Sequence, residues 1–378
     1  MAVADGPERG TKTMTTTITD LADLRRRLTG WLTAVTGGQA DIGDLRRPAE
    51  NGLSSVSLLL DASWMRDGQP VRRGLVVRIP PDTSAYPVFP SYDLRRQYDV
   101  IASVAQHTDV PVPALHWIEE SSDVLGSPFF VMDRIDGRIP SDNPPYVFGG
   151  WLLEAAPADQ RALQDAVVRT LADIHRVPPL QDLITEAGDD PLRTLVDAQR
   201  SYYAWSHRDE GLRIPVIEDT FDWLEQHWPD DPGDPVLCWG DARPGNVIFD
   251  GFRPVAVLDW EMCCVGPREV DLAWMVFLHR FFQDVAEIFE TPGIPHLFRV
   301  SDVVGTYEAA SGATVKNFDF YLVYAALRHA IVMSRIKRRM IHFGEDPVPP
   351  TPDDYVMFHP LLRAMLDDGA RSAGWMHE

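Results

Sequence analysis

The chain has 378 residues, with 56 Asp or Glu against 35 Lys or Arg, so its formal net charge is −21. This charge argues against a nucleic-acid-binding protein, because such proteins neutralise phosphates with clustered cations, and it equally disfavours binding to an anionic membrane surface. Hydrophobic residues make up 45% and charged residues 24%, a balance that indicates a globular chain with a sizeable core. The length fits two domains or one large two-lobed unit.

The cysteine content excludes two further classes of protein. Only Cys238, Cys263 and Cys264 occur, so neither a disulfide framework nor a CxxC metal knuckle can be formed. We therefore expect a reducing, cytoplasmic setting. No stretch approaches the ~18 apolar residues that a membrane helix requires, and residues 1–18 are polar and predict a disordered tail. The sequence gives no indication of the oligomeric state.

The first part of the chain, residues 19–135, predicts a sheet of short strands with a leading helix. Leucines recur at helical spacing over 20–36, and Gly37-Gly38 follows them. Asp67-Gly68 is a turn signal between two aliphatic runs, which predicts an antiparallel pair. The remaining elements predicted here are strands at 53–60, 74–79, 114–119 and 128–135 and a helix at 93–106.

Beyond the Pro- and Gly-rich stretch at 141–150 the pattern becomes helical. Residues 136–378 therefore predict a second, helical lobe, and the chain as a whole an α+β fold of two lobes with a cleft between them, a common place for a ligand. The predicted helices of this lobe lie at 159–175, 192–205, 217–228 and 318–340.

One segment of the helical lobe, residues 236–261, has the character of strands. Two short apolar runs, Val247–Phe249 and Val255–Leu258, are connected through Asp250-Gly251-Phe252-Arg253 and predict a hairpin with a four-residue loop. Asp241 and Asn246 precede the first run, and Asp259 follows the second. Folding the hairpin brings these three oxygen-bearing side chains to one place.

Phosphoryl transfer needs such a set of side chains. One carboxylate orients the attacking hydroxyl, while an amide and a second carboxylate hold the Mg²⁺ that bridges the nucleotide phosphates. The D-x-x-x-x-N spacing from Asp241 to Asn246, followed by a hairpin and Asp259, is the pattern of a kinase catalytic loop and its metal-binding partner.

These segments resemble the aminoglycoside phosphotransferase and choline-kinase-like family of small-molecule kinases, most closely the branch with kinase-like domains associated with acyl-CoA dehydrogenases. The resemblance covers roughly residues 45–345 and implies a protein-kinase-like fold, with nucleotide binding in the first lobe and the catalytic loop and acceptor site in the second. It also implies transfer of the γ-phosphate of ATP or GTP to a small-molecule hydroxyl. The matching pieces are WGDARPGN, LDWE, VGPREVDLAW at 265–274 and VLGSPFFVMDRIDG at 124–137.

For the catalytic side, the resemblance implies that Asp241 is the catalytic base and that Asn246 and Asp259 are the Mg²⁺ ligands. Asp271 resembles the buried aspartate that braces the catalytic loop from the following helix. The residue before Gly240 departs from the family, because Trp239 stands where the family usually has a histidine. We expect altered support of the loop and not abolished chemistry.

For the nucleotide side, the resemblance places Arg78 where the phosphate-holding cation is expected. A protein kinase has a lysine on this third strand, but no lysine occurs between Lys12 and Lys316, so a cation there must be arginine. Gln97 stands where the family has the glutamate that pairs with this cation, with Asp93 or Asp99 as possible substitutes. Ser54 and Ser55 are further predicted contacts of the phosphates. The hinge between the lobes is predicted at Met132–Ile135, with adenine bonded to backbone groups near Asp133 and Ile135 and Met132 guarding the pocket behind the base.

The acceptor and the activity itself leave alternatives open. The acidic chain would suit a polycationic aminoglycoside as acceptor, and the protein's role would then be antibiotic resistance. A hydroxyacyl-coenzyme A would instead need a basic groove, for which Arg335–Arg339 is the obvious cluster. An amino alcohol is a third acceptor. Two other functions are a non-catalytic nucleotide-binding sensor or scaffold, which Gln97 and Trp239 favour, and a metal-dependent hydrolase using Asp241, Asp259 and Glu261.

Overall fold

A computed structural model describes residues 21–47, 56–81, 86–208 and 211–368 of the chain. The predicted tail at 1–18 and the predicted phosphate contacts Ser54 and Ser55 lie outside these residues. Among the described helices, none combines the length and the apolar character needed to cross a bilayer.

The first lobe is a five-stranded antiparallel sheet with a helix on each face. Its elements are α1 (Leu21–Thr36), β1 (Ala40–Ile42), β2 (Val56–Arg66), β3 (Gln69–Ile79), α2 (Leu94–His107), β4 (Leu115–Glu119) and β5 (Phe129–Asp133). The strand order in the sheet is β1-β2-β3-β5-β4.

The predicted antiparallel pair is confirmed as β2 and β3, joined by the two-residue turn Asp67-Gly68. Arg66 pairs with Gln69 across the turn. Both turn residues have positive φ, +52° and +74°, the backbone twist that favours tight hairpins. The strands are longer than the predicted ones because the exposed residues beside the turn continue the ladder.

Alternation along the strands divides the sheet into two apolar faces. Val77 and Phe129 face α1 and belong to a core with Trp31, whereas Val76 and Phe130 belong to the core that continues through α2 into the second lobe. Because successive strand residues point to opposite faces, one sheet forms both the outer core and the roof of a cleft.

The second lobe contains eight α-helices and two small two-stranded sheets in the part of the chain that the structure describes. The strands β6 and β9 pair antiparallel, as do β7 and β8. The elements are α3 (Pro157–Ile174), α4 (Gln181–Ala187), α5 (Pro191–His207), α6 (Pro215–Gln226), β6 (Pro235–Cys238), β7 (Val247–Asp250), β8 (Arg253–Val257), β9 (Cys264–Pro267), α7 (Glu269–Ile288), α8 (Val300–Ser311), α9 (Phe318–His342) and α10 (His359–Asp368).

Backbone hydrogen bonds connect the hairpin of the second lobe with the first. Arg138, just after the last strand of the first lobe, exchanges two hydrogen bonds with Phe249 of β7 (2.9 and 2.8 Å). Val257 of β8 donates to the carbonyl of Pro111 (2.8 Å). The hairpin is therefore held directly under the sheet, at the floor of the cleft.

Candidate active site

The hairpin of β7 and β8 brings the predicted residues to one end, as the sequence indicated. Val247 pairs with Val257, and the carbonyl of Asn246 accepts a hydrogen bond from the N–H of Leu258 (2.9 Å). Asn246 and Asp259 therefore flank the open end of the same hairpin.

The prediction of a four-residue loop in this hairpin is wrong. Asp250 pairs with Arg253 as the last rung of the ladder, so the turn has only two residues, Gly251 and Phe252. Gly251 has φ +61°, which a glycine adopts without steric cost.

The carboxylate of Asp241 lies at the centre of a dense set of donors. Arg243 Nε donates to both of its oxygens (3.0 and 2.9 Å), and Asn246 Nδ2 donates to Oδ2 (2.7 Å). Trp274 Nε1 of α7 donates to Oδ1 (2.7 Å). The side chain is only 14% exposed, so its position and orientation are fixed from three sides.

Two opposing effects set the pKa of Asp241. Burial raises the pKa, but the charge of Arg243 and the hydrogen bonds from Arg243, Trp274 and Asn246 outweigh burial and hold the pKa below the usual range. Arg243 itself ion-pairs with Asp142 as well. Burial lowers the pKa of its guanidinium, but the two carboxylates outweigh burial and raise it above the usual value. Asp241 is therefore an ionised hydrogen-bond acceptor at neutral pH.

Asp271, at the start of α7, contacts the loop before Asp241. Its carboxylate accepts hydrogen bonds from the backbone N–H groups of Trp239 (2.6 Å) and Gly240 (2.8 Å) and contacts His175 Nε2 (3.1 Å). Asp271 has no exposed surface. These contacts fit the bracing role that the resemblance implied.

Gly240 is required by its conformation and by its surroundings. Its φ is +91°, and a Cβ atom there would lie 2.0 Å from the carbonyl oxygen of Met262. Its own carbonyl accepts a hydrogen bond from Arg328 Nη2 of α9 (2.9 Å). Any side chain at this position would displace the loop that carries Asp241.

Trp239 supports the hairpin in the place where the family usually has a histidine. The ring is 1% exposed, and its Nε1 donates to the carbonyl of Leu258 (2.9 Å). The indole thus ties the loop to the strand end before Asp259, which is consistent with the altered support expected from the sequence.

Arg78 of β3 faces the second lobe across the cleft. Its Nη2 donates to Asp259 Oδ1 (2.7 Å) and lies 4.0 Å from Glu261 Oε2. Nη1 donates to Ser57 (3.3 Å). Asp259 has φ +60°, an uncommon conformation for a non-glycine residue, and this conformation accompanies the contact with Arg78.

The expected helix partners do not pair with Arg78 among the described residues. Asp99 pairs with Arg95, and Asp93 caps α2 by accepting from Arg96 N. Gln97 is buried and lines the same cleft as Arg78. With a neutral residue at 97, the carboxylate partner of the β3 cation is Asp259.

The cleft between sheet and hairpin encloses about 310 Å³. The predicted hinge residues Met132, Asp133 and Ile135 line it, together with Arg78 and Asp259. The N–H of Asp133 donates to the carbonyl of Ala114 within the sheet (2.8 Å), so this N–H is already used and is not available to a ligand.

A second cavity, of about 260 Å³, adjoins the loop that carries Asp241, because Arg328 in its wall contacts Gly240 of this loop. Its wall comes from α5, α9 and residues 89–92 and includes Glu261 and Arg328. Two of its wall residues connect it with the rest of the site. Arg328 donates to the carbonyl of Gly240 in the loop, and Glu261 lies near Arg78 of the first cleft. Its position beside the loop of Asp241 suits a second substrate.

Several residues of the site were missed by sequence reasoning. Arg243 could have been found, because a cation two positions after Asp241 is within reach of its carboxylate. Asp142, Trp274 and Arg328 lie 101, 33 and 88 positions from their loop partners, and no spacing indicates such contacts.

The Arg335–Arg339 cluster does not form the open basic groove that a coenzyme A ester would need. Arg335 donates to the carbonyl of Pro87 (2.9 Å), and Arg339 donates to the carbonyl of Tyr86 (2.5 Å). These two guanidinium groups are used to hold residues 86–87 against α9.

Comparison with known proteins adds a family and its relatives. The model of the family described as "Phosphotransferase enzyme family" matches residues 61–291. The chain is 28% identical to acyl-CoA dehydrogenase family member 11 of Homo sapiens over 273 residues, 69% of this chain and 32% of that protein. It is 28% identical to family member 10 of Mus musculus over 287 residues, 71% of this chain and 25% of that protein. The chain thus spans about a third or less of these relatives.

Solved structures share the fold over most of the chain. A candidate aminoglycoside phosphotransferase from Ralstonia eutropha JMP134 superposes with TM-score 0.63 and 25% identity, covering 93% of this chain and 96% of that one. ADP-bound aminoglycoside phosphotransferase APH(2'')-Ib gives 0.53 at 13% identity, covering 91% and 98%. An ethanolamine kinase from Plasmodium vivax gives 0.52 at 13%, covering 83% and 80%. The predicted two-lobed kinase-like fold is confirmed.

Proposed function

Because this chain belongs to the phosphotransferase enzyme family, we propose that it is a small-molecule kinase that transfers the γ-phosphate of ATP or GTP to a hydroxyl of its acceptor. The observation that carries the proposal is the ionised carboxylate of Asp241, which Arg243, Asn246 and Trp274 hold in place on a loop that Arg328, a wall residue of the second cavity, contacts at Gly240. In the proposed division of labour, residues 19–135 bind nucleotide and residues 136–378 supply the catalytic loop and the acceptor site.

The proposed reaction uses Asp241 to orient the acceptor. Its carboxylate accepts a hydrogen bond from the acceptor hydroxyl and receives the proton. The hydroxyl oxygen bonds to the γ-phosphorus while the bond from that phosphorus to the bridging oxygen breaks, and the nucleoside diphosphate leaves. A low pKa makes Asp241 a weak base, so its contribution is mainly orientation, as in kinases generally.

The residues that would hold Mg²⁺ are Asn246 and Asp259. Both offer oxygen, the donor atom this ion prefers, and the amide oxygen of Asn246 accepts no hydrogen bond from any described residue, since Nδ2 makes both contacts of that side chain. When bound, the ion would offset the negative charge of the phosphates. Arg78, which donates to Asp259, would contact the same phosphates with a bidentate guanidinium.

The adenine or guanine base is proposed to lie against Met132, with hydrogen bonds to the carbonyl of Asp133 and to the backbone of Ile135. The aliphatic residues around this part of the cleft, such as Val76 and Ile248, suit a flat aromatic ring. Ser54 and Ser55 remain predicted phosphate contacts on the strength of the sequence alone.

The test is acceptor-dependent release of nucleoside diphosphate by the purified protein with Mg²⁺ and ATP or GTP. The acceptors to be tested are aminoglycosides, amino alcohols and hydroxyacyl-coenzyme A esters. Phosphorylation of an aminoglycoside would give the protein a role in antibiotic resistance. We expect Asp241→Asn to remove turnover while leaving nucleotide affinity largely intact. Asp250→Asn is the matched control, because Asp250 is 74% exposed at the hairpin turn. Equal turnover in Asp241→Asn and the native protein would contradict the assignment of Asp241.

A second candidate function is a nucleotide-binding sensor without turnover. The contact of Arg78 with Asp259 favours it, because this ion pair engages the carboxylate that the metal would need. The outcome that distinguishes the two is Mg²⁺-nucleotide binding by calorimetry without diphosphate release from any acceptor.

A further inference from the structure

Arg328 of α9 stands out in the wall of the second cavity. The residue is 4% exposed. Its Nη2 donates to the carbonyl of Gly240, next to Asp241, and its guanidinium carbon lies 4.5 Å from the centre of the Trp274 ring, whose Nε1 donates to Asp241. Arg328 and Asp241 are thus connected by both a backbone contact and a shared indole.

The charge of Arg328 lacks a carboxylate partner within residues 21–47, 56–81, 86–208 and 211–368. Its Nη1 is buried without a hydrogen-bond partner, and its Nη2 bonds a backbone carbonyl and not an acid. A buried, uncompensated cation is costly, and a ligand that binds in this cavity can supply the counter-charge. An anionic group on the acceptor would do so.

The rest of the cavity wall is mainly apolar and aromatic. Among the described residues that line it, Glu261 is the one acidic side chain, and it approaches Arg78 on the nucleotide side. A polycationic amine would therefore meet a buried cation and a largely apolar wall. The side chains that form this wall include Tyr92, Leu195, Tyr202, Tyr324 and Val332.

We propose that the acceptor is a small hydroxy carboxylic acid with an apolar body, whose carboxylate binds Arg328 while its hydroxyl faces Asp241. This inference rests on the proposed kinase function and names its substrate class. The cavity of about 260 Å³ is near the lower end of small-molecule sites, about 300–1,000 Å³, which limits the acid to a modest size. The product is the phosphate monoester of the acid, with the hydroxyl proton on Asp241 and the carboxylate unchanged.

The first experiment measures binding, so that it does not depend on turnover. Calorimetry measures ligand binding to the Asp241→Asn variant in the presence of Mg²⁺ and ATP. Two hydroxy acids, hydroxyhexanoate and phenyllactate, are compared with two diols, hexanediol and phenylpropanediol, in which CH₂OH replaces the carboxylate. We expect both acids to bind. When Arg328→Gln is added to this variant, we expect their affinity to fall by about 10–100-fold, the effect of losing a charge-assisted hydrogen bond. The diols should be unaffected by this substitution.

The controls separate recognition from support of the loop. Glutamine at 328 keeps a donor for the Gly240 carbonyl, and Arg253→Gln removes a cation that is 72% exposed at the hairpin turn. In turnover assays with the native Asp241, we expect Arg328→Gln to raise KM for the acids with little change in kcat. A purely structural role would instead lower kcat for acids and diols alike, and that result would overturn the proposal.

Failure of this inference and failure of the kinase proposal give different results. Phosphorylation of kanamycin, hygromycin B or ethanolamine, with no binding of either acid, would retain the kinase and overturn the acid acceptor. Acid binding that requires Arg328, with no phosphoryl transfer to any acceptor, would support the anion site and overturn the kinase. Absence of acid binding overturns the inference whether or not turnover is seen.

Discussion

The nucleotide cleft and the second cavity treat their buried charges differently. In the cleft, Arg78 forms an ion pair with Asp259, and Asp133 contacts His116 Nε2 (2.7 Å). In the cavity, Arg328 has no carboxylate partner among the described residues. A ligand in the cleft must therefore exchange partners with the ion pair of Arg78 and Asp259, whereas a ligand in the cavity can supply the negative charge that Arg328 lacks.

The largest effect is expected from Asp259→Ala, which removes the carboxylate of the cleft pair. We expect Mg²⁺-dependent ATP affinity to fall by about 100-fold or more, since a ligand of the metal is lost. Without metal, the same variant should bind ATP more tightly than the native chain, because Arg78 is released for the phosphates. Calorimetry with Mg²⁺ and with EDTA measures both, with Asp250→Ala as control, and unchanged metal dependence would contradict the ligand assignment.

Asp271→Asn tests the framework shared by both cavities. An amide at 271 cannot accept from both Trp239 N and Gly240 N through equivalent oxygens, so a buried group is left unsatisfied. We expect a loss of about 2–4 kcal/mol in the free energy of unfolding, measured by urea denaturation. The exposed Asp250→Asn should change it by less than about 0.5 kcal/mol, and equal stability of the two variants would remove the bracing role.

Arg243→Met tests what sets the pKa of Asp241 on the catalytic loop, where burial and the charge of Arg243 shift this pKa in opposite directions. Arg243 lowers the pKa of Asp241, so its removal leaves burial unopposed by that charge and the pKa rises. The acid limb of the pH profile of kcat/KM should move to higher pH, because Asp241 is protonated earlier as pH falls. Arg253→Met should leave the profile in place. A limb that stays or moves to lower pH would show that Arg243 does not control Asp241.

The smallest effect is expected from Gln97→Glu. All three residues line the cleft, so a carboxylate at 97 would compete with Asp259 for Arg78. The ion pair between Arg78 and Asp259 would become weaker, and Asp259 would be more available to bind the metal. We expect Mg²⁺-ATP binding to tighten by a few-fold, about the effect of a modest change in one ion pair. Weaker binding by Gln97→Glu would show that the Arg78 contact with Asp259 does not compete with the metal.

Much of the fold and the catalytic side of the site could be predicted because the signals are local. Leucine spacing predicted α1, Asp67-Gly68 predicted the first hairpin, and the spacing of Asp241, Asn246 and Asp259 predicted a convergence that the second hairpin produces. The turn of that second hairpin was mispredicted, because whether Asp250 and Arg253 pair depends on strand register, which short apolar runs specify weakly.

The amino-acid sequence alone was enough to predict the two-lobed class and the spacing of the catalytic loop, and its resemblance to the family implied roles for Arg78 and Gln97. Tertiary structure alone decided the partners: Asp259 for Arg78, Trp274 for Asp241 and, within the described part of the chain, no carboxylate for Arg328. The physical reason is that spacing along a chain fixes which groups share a turn or a helix face, whereas contacts between distant elements depend on how those elements pack.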